Sequence, residues 1–322
     1  MKSLSLVFLT TFFLLIACEK DKAVDSNPGT KDPQEENNSK DDVLKVKTGW
    51  KIDTLYTGCI LYSMYGYDAT TIASQSVNVL EVDITDTKYD LVFKGGTRDS
   101  LSNIAAAVPN AVAAINGTYG EAIDGGRVSF FKALENIVYR ITIPSDHLRF
   151  WKHEGAFYYN NLNRKTGIEY GNNALYESWT YPNIISGSPV LINNYIPVGE
   201  NFVNPNANLN NLDGEHKDKH QGVRHPRTAI AITENNKVLL FTIDGRRTQT
   251  SGMTAKELTQ FIKKNFDPKY ALNLDGGGST TMWIKGSKLS ATGVINYPTD
   301  DGKFNHYGQR LLNNSIVVSR KN

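Results

Sequence analysis

The sequence predicts an α+β fold: a mixed β-sheet core with hairpins and a few packed helices, in one large domain. Three observations carry that expectation. Two strand patterns, Arg227 to Thr233 and Val238 to Asp244, flank a polar turn and read as a hairpin. A capped amphipathic helix follows and leads into a new strand at Tyr270, which is a crossover. No Pro/Ser/Gly-rich linker or repeat interrupts residues 43–322, a length sufficient for one substantial core.

Lys2, the apolar run Leu4 to Ile16 and small residues before Cys18 read as a secretory signal over residues 1–17. The apolar run is shorter than the ~20 residues of a membrane span. Its setting resembles a lipobox, so cleavage before Cys18 and lipid attachment to its thiol are expected, with the protein exported and anchored to a bacterial cell envelope. Residues 18–42 form an acidic tether: from Glu19 to Asp42 there are eight acidic and four basic side chains and no aromatic one, too little apolar surface to offset chain ordering. The whole chain carries +2; with the tether at −4 and Lys2 at +1, residues 43–322 carry +5. The positive charge is scattered, which argues against nucleic acid and for small anionic groups. After Cys18 the one remaining cysteine is Cys59, so an internal disulfide is excluded and a buried thiol expected. No Cys/His spacing suits zinc. No cofactor is predicted, and a divalent metal is left open.

Along the domain, Ser76 to Thr85 alternates, with Leu80, Val82 and Ile84 on one face and Glu81 and Asp83 on the other. The two carboxylates suit acid/base chemistry or a solvated strand face. Leu101 to Val108 reads as a short helix ending before Pro109, and Ala111 to Ile115 as a buried strand entering Asn116-Gly117. Asn116 suits a sugar hydroxyl or a plain turn. Phe150 to Tyr181 holds nine aromatic residues in 32, for pinning an insertion to the core or for stacking on sugars. Ile184 to Leu191 is a strand broken at Gly187-Ser188-Pro189, and Asn201 to Asn211 a loop.

A two-residue turn at Asn235-Asn236 pairs Glu234 with Lys237. That register sets Arg227 opposite Asp244 and His225 opposite Arg246, all on one face, with Thr228, Ile230, Ile232, Leu239, Phe241 and Ile243 on the core face. Two arginines beside a carboxylate suit a phosphate, which guanidinium groups grip bidentately. The capping box Thr254-Ala-Lys-Glu257 starts the helix, whose Leu258, Phe261 and Ile262 form its apolar face. The strand from Tyr270 should lie parallel to 238–243 in the same sheet and end beside it, so Asp244 and Asp275 flank one cleft. Asp275 opens Asp275-Gly276-Gly277-Gly278-Ser279-Thr280, where glycines let backbone N–H groups close on an anion, or serve only a tight turn. A closing strand covers Ser315 to Ser319.

Five motifs occur in order: Ala114-Ile115-Asn116-Gly117, Ile185-Ser186-Gly187-Ser188-Pro189, Pro226-Arg227-Thr228-Ala229, Ile243-Asp244-Gly245-Arg246 and Asn273 to Thr280. Together they resemble the phosphodiester glycosidase family, which includes the catalytic domain of the mannose-6-phosphate uncovering enzyme and bacterial exopolysaccharide-related members. The resemblance covers roughly residues 77–318. It implies hydrolysis of the bond between C1 of N-acetylglucosamine and a phosphodiester, on a phosphorylated glycan. It also implies a site lined by Asn116, Gly187, Arg227, Thr228, Asp244, Arg246 and Asp275 to Thr280, with Asp83, Arg310 and Asn314 at outer motif positions. The family's usual Asn-Gly-Gly-Phe-Phe is here Asn116-Gly117-Thr118-Tyr119-Gly120, which alters one pocket wall. In the implied mechanism Arg227, Arg246 and the loop amides hold the phosphate. Asp275 activates water or stabilises the oxocarbenium-like centre, and Glu81 or Asp244 is the second carboxylate. Two other classes remain: a lipid-anchored glycan-binding protein without turnover, and a phosphodiesterase that cuts P–O.

Overall fold

The computed structural model describes residues 49–121 and 124–321. The expected signal segment 1–17, Cys18 and the tether 18–42 lie outside the described residues.

In chain order the first strands are β1 (Trp50–Tyr56), β2 (Cys59–Asp68), β3 (Ala73–Asp83) and β4 (Tyr89–Asp99), followed by α1 (Leu101–Ala106) and β5 (Ala111–Asn116). Then come β6 (Phe131–Ala133), β7 (Asn136–Tyr139), β8 (Gly155–Tyr159), β9 (Thr166–Tyr170), α2 (Asn173–Ser178), β10 (Asn183–Gly187) and β11 (Val190–Asn193). The last part holds α3 (Lys217–Gly222), β12 (Arg227–Ile232), β13 (Lys237–Ile243), α4 (Ala255–Phe266), β14 (Tyr270–Asn273), β15 (Met282–Ile284) and β16 (Leu312–Arg320).

These strands make three sheets, of order β1-β2-β3-β13-β12-β14-β11, β7-β6-β10-β8-β9 and β15-β5-β16-β4. Neighbouring strands pair antiparallel. The crossover places β14 in the same sheet as β13 and parallel to it, with β12 between. One face of the seven-stranded sheet, including Leu80, Ile230, Leu240 and Leu272, packs against Ile115, Ile316, Phe157 and Ile185 of the other two sheets to form the main core. Its other face, with Val79, Ala229, Phe241 and Ile243, is covered by Leu258, Phe261 and Ile262 of α4. Both faces of β12 and β13 are therefore buried, and their patterns are continuous apolar runs.

α4 begins at the expected capping box, with the Thr254 hydroxyl accepting from the Glu257 amide and the Glu257 carboxylate accepting from the Thr254 amide. Cys59 is buried, and burial pushes its thiol up to about 12. The aromatic insertion is mostly structural. Phe157 and Tyr159 enter the main core, while Tyr158 and Tyr176 pack with Trp179 and Tyr181 over the five-stranded sheet.

The hairpin register differs from expectation by one residue. The Thr233 amide donates to the Lys237 carbonyl, closing a three-residue loop, and Arg227 lies opposite Ile243. Asn236 supplies the left-handed residue that such a loop needs, at φ +58°. A shift of one residue moves each side chain of one strand relative to the other's faces. Arg227 thus shares the α4-side face with Ala229 and Ala231, and Asp244 is not its partner.

Candidate active site

The loops at one end of the sheets surround a cavity of about 600 Å³. β5 runs into it through Asn116 to Gly120, β14 through Asp275 to Ser279, and β16 enters from Leu311 to Asn314. The segment after β13 supplies Arg246, and the segment before β12 supplies His225. A 3-10 turn at Phe150–His153 delivers Lys152.

Asp275 is a half-buried carboxylate of this cavity. Its backbone is fixed from two sides: its amide donates to the Gly117 carbonyl (3.2 Å), and its carbonyl accepts from Asn116 Nδ2 (2.7 Å). Desolvation raises its pKa above the ordinary carboxylate range, against the hydrogen bond from Ser279 and the nearby Lys152 and Arg310 charges. Burial that disfavours its ionised form makes it a stronger base than a solvent-exposed carboxylate.

Two guanidinium groups flank the glycine turn. Arg246, itself at φ +59°, lies against His225, whose Nδ1 accepts from its Nε at 3.3 Å. Arg310 is held bidentately by Asp300, at 2.7 and 2.9 Å. The glycines make room for both. A Cβ on Gly277 would meet Arg246 Nη2 at 3.0 Å, and one on Gly278 would meet Asp300 Oδ1 at 2.0 Å and Arg310 Nη2 at 2.3 Å. Four of the five amides from Gly276 to Thr280 bond the protein itself and do not form the expected anion cradle. Gly277 donates to Pro226 O, Ser279 to Gly276 O and Thr280 to Gly277 O, while the Gly276 amide bonds the Asp275 carboxylate.

Several expected ligands are braces. Arg227 is buried and does not line the cavity. Its Nε donates to Met253 O, Nη1 to Gln221 Oε1, and Nη2 to His220 O and Val223 O. Burial without an acid partner pushes its pKa down to about 10, so it stays charged at neutral pH. Thr228 Oγ1 donates to Asn116 Oδ1 (2.8 Å) and also contacts Thr280 Oγ1 (3.3 Å), so Thr228, Asn116 and Thr280 form one buried brace beneath Asp275. Gly187 is needed for close packing: a Cβ there would meet the Asn273 carbonyl at 2.3 Å. Asn314 Oδ1 accepts from the Thr118 amide at 2.6 Å, which fixes the wall after β5.

Neither proposed second carboxylate reaches the cavity. Glu81 is buried on β3, accepting from Tyr62 (3.1 Å) and paired with Lys237 (3.0 Å). It lies opposite Leu239, five residues along the strand from Ser76 at the site end, roughly 16 Å at strand rise. Asp244 is buried between Ser76 Oγ (2.7 Å), Asn296 Nδ2 (2.9 Å) and the Tyr297 amide (2.9 Å). It anchors the loop that carries Asp300 and does not flank the cleft with Asp275. Asp83 caps a turn at Thr85, away from the cavity.

Sequence reasoning missed Arg98, Arg149, Lys152, Glu121, Glu215 and His220, all of which line the cavity. Glu215 bridges Arg149 (3.1 Å) and Lys152 (2.7 Å), and Lys152 lies 4.8 Å from the centre of the Tyr119 ring. Arg98 lies near the end of β4 and His220 sits in the short α3, while the others come from loops or a 3-10 turn without periodicity, so only the basic-aromatic run Arg149 to Lys152 offered a signal. Burial, aided by Arg227 and Arg246, pushes His225 down to about 3; burial and the surrounding cations push His220 down to about 2. Both are neutral near pH 7. The Thr118 hydroxyl lines the cavity, is buried, and has no hydrogen-bond partner among the described residues. Among the described residues there is also no cluster of acidic, histidine and cysteine side chains suited to a metal.

Mouse and human N-acetylglucosamine-1-phosphodiester alpha-N-acetylglucosaminidase are 34% and 38% identical to this chain over 82 and 74 residues, or 26% and 23% of its length. Those stretches span only 14% and 13% of the two enzymes. The solved catalytic domain of the zebrafish enzyme, auto-inhibited by its pro-peptide, superposes with a TM-score of 0.58 at 18% identity, covering 86% of this chain and 84% of that one. A hypothetical protein from Synechocystis gives 0.55 at 15% identity, covering 84% and 64%. The phosphodiester glycosidase family model matches residues 109–319, which include Asp275 and the residues that brace it. This chain belongs to the phosphodiester glycosidase family.

Proposed function

We propose that the chain hydrolyses the glycosidic bond of a sugar-1-phosphodiester of the N-acetylglucosamine-1-phosphodiester type. The observation that carries this reading is Asp275 standing in one cavity with Arg246 and Arg310, which the glycine turn admits to its edge. The two guanidinium groups bind the phosphate and stabilise the charge it gains as it leaves C1. The leaving group is a phosphate monoester, which departs as a stable anion, so a strong general acid is unnecessary. Asp275 takes a proton from water as the oxygen attacks C1, or steadies the oxocarbenium-like centre electrostatically. Neutral His225 accepts from Arg246 and keeps that guanidinium turned to the cavity. Lys152, which lines the cavity, is suited to hydroxyl groups of the sugar.

The test is release of free GlcNAc from a GlcNAc-1-phosphodiester by the full chain, with and without EDTA. Asp275→Asn is expected to abolish release, and full activity in that variant would overturn the assignment. In oxygen-18 water the label should enter the sugar; label in the phosphate would establish P–O cleavage instead. Glycan binding that survives Asp275→Asn, without turnover by the wild type, would favour a binding protein.

The same reading makes the protein a lipoprotein of a bacterial cell envelope acting on surface or exopolysaccharide-type glycans. Its support is the apolar segment before Cys18 and the acidic tether after it. Cys18→Ala should abolish incorporation of labelled fatty acid; incorporation that persists would overturn the anchor.

A further inference from the structure

We infer that an aromatic surface beside the cavity, made by the exposed Tyr65 and Tyr67 of β2 with the half-buried Tyr297 and Phe304, is a subsite for a sugar chain. It rests on the glycosidase reading in one respect: it assigns the alcohol side of the phosphodiester to an oligosaccharide or polysaccharide, not to a small alcohol.

Tyr65 and Tyr67 alternate onto one face of β2 and are 61% and 68% exposed. Their cross-strand partners are Ser76 and Ser74, too small to cover a ring. Tyr65 lies 6.4 Å from Phe304, Phe304 stacks on Tyr297 at 3.9 Å with planes 13° apart, and Tyr297 stacks on His306 at 4.5 Å. Tyr65, Phe304 and Tyr297 are therefore held together before any ligand arrives, which lowers the ordering cost of binding. Uncovered large apolar groups gathered in one place mark an interaction surface. Tyrosine rings with wet hydroxyl edges suit a partner that has an apolar face and a polar rim. A pyranose ring has that form, with C–H bonds on its face and hydroxyls at its edge.

The surface is tied to the proposed site through the 297–304 loop. Asp300, between Tyr297 and Phe304 in the chain, holds Arg310 at the cavity edge. Arg247, next to Arg246, donates to the Thr299 and Lys303 carbonyls of the same loop. The Tyr297 amide is bound by Asp244, which also holds Ser76 opposite Tyr65. A chain attached to a phosphate between Arg246 and Arg310 thus meets the aromatic surface along this loop. The aromatic insertion at 150–181 cannot take this part, because most of its rings are in the cores.

The test uses the full chain, wild type and a Tyr65→Ala/Tyr67→Ala double variant. Calorimetry measures binding of free hexasaccharides of glucose, mannose and N-acetylglucosamine, and hydrolysis is followed on the methyl diester of GlcNAc-1-phosphate. The expected result is that the wild type binds at least one hexasaccharide and the variant binds it at least tenfold more weakly. The variant's kcat/KM on the methyl diester should be unchanged. Absence of wild-type binding to all three, or equal binding by the variant, overturns the subsite. So does a variant that loses self-association in sedimentation while keeping its sugar binding, since the surface then seats a second copy. If neither protein hydrolyses the diester yet the variant loses sugar binding, the subsite stands and the glycosidase reading fails.

Discussion

At the scale of single residues, Asp275 and Gly278 separate chemistry from stability. The raised pKa of Asp275 means that its ionised form is less favoured in the folded protein than in the unfolded chain. That penalty is absent below the unfolded carboxylate pKa and grows as pH rises through the folded value. Asp275→Asn should therefore melt at or above the wild-type temperature at pH 7, with the difference vanishing in acid, while turnover is lost. A variant markedly less stable at pH 7 would make Asp275 a structural brace. Gly278→Ala tests the glycine turn from the other side. Its Cβ would displace Asp300 and Arg310, and a shift of about 1 Å in such groups can cost about 100-fold in rate. We expect a loss of that order in kcat/KM with a small change in Tm; a variant retaining wild-type kinetics would remove Arg310 from the mechanism.

At the scale of elements, β12 and α3 are clasped by a buried arginine. Removing its guanidinium leaves four acceptors without their donor. Bonds to a charged donor contribute about 1.5–3 kcal/mol each, so Arg227→Met should cost at least about 3 kcal/mol in urea unfolding. Arg227→Lys should not restore it, because an ammonium cannot span the same fork. If the arginine instead bound phosphate, the variants would keep stability and raise KM. This residue also shows what was legible in the chain. The strand patterns, the capping box at Thr254 and Glu257, and the crossover into β14 follow from periodicity and local hydrogen bonding, and the structure contains them. The hairpin register did not, because Glu234-Asn235-Asn236 is compatible with loops of two or three residues and Asn tolerates the left-handed region. That single residue of shift separated Arg227 from Asp244. Motif order located Asp275, Arg246 and Arg310. It did not distinguish residues that face the cavity from those that brace it, such as Thr228 and Gly187, since both roles fix the same residue types.

At the scale of the whole molecule, burial sets the site's response to pH and cations from distant segments adjust it. Arg98, Arg149, Lys152, Arg246 and Arg310 line the cavity against Asp275, Glu121 and Glu215. With His220 and His225 pushed to about 2 and about 3, neither changes charge between pH 5 and 8. The profile of kcat/KM should show no histidine step there. Its acid limb should be the one set by Asp275, rising with pH through a value above the ordinary carboxylate range. A bell centred near pH 6.5 that His225→Asn abolishes would contradict this. The topology has a consequence in time as well. β16 lies between β5 and β4, and its Asn314 fixes Thr118 nearly two hundred residues earlier. A ribosome that has made the chain as far as α4 has therefore produced the capped helix and its hairpin, but not the strand that closes the third sheet. Such non-local pairing is slow and comes late, so the Thr118 wall stays unfixed through most of synthesis, and Arg246, Asp275 and Arg310 become a site only once β16 has been made.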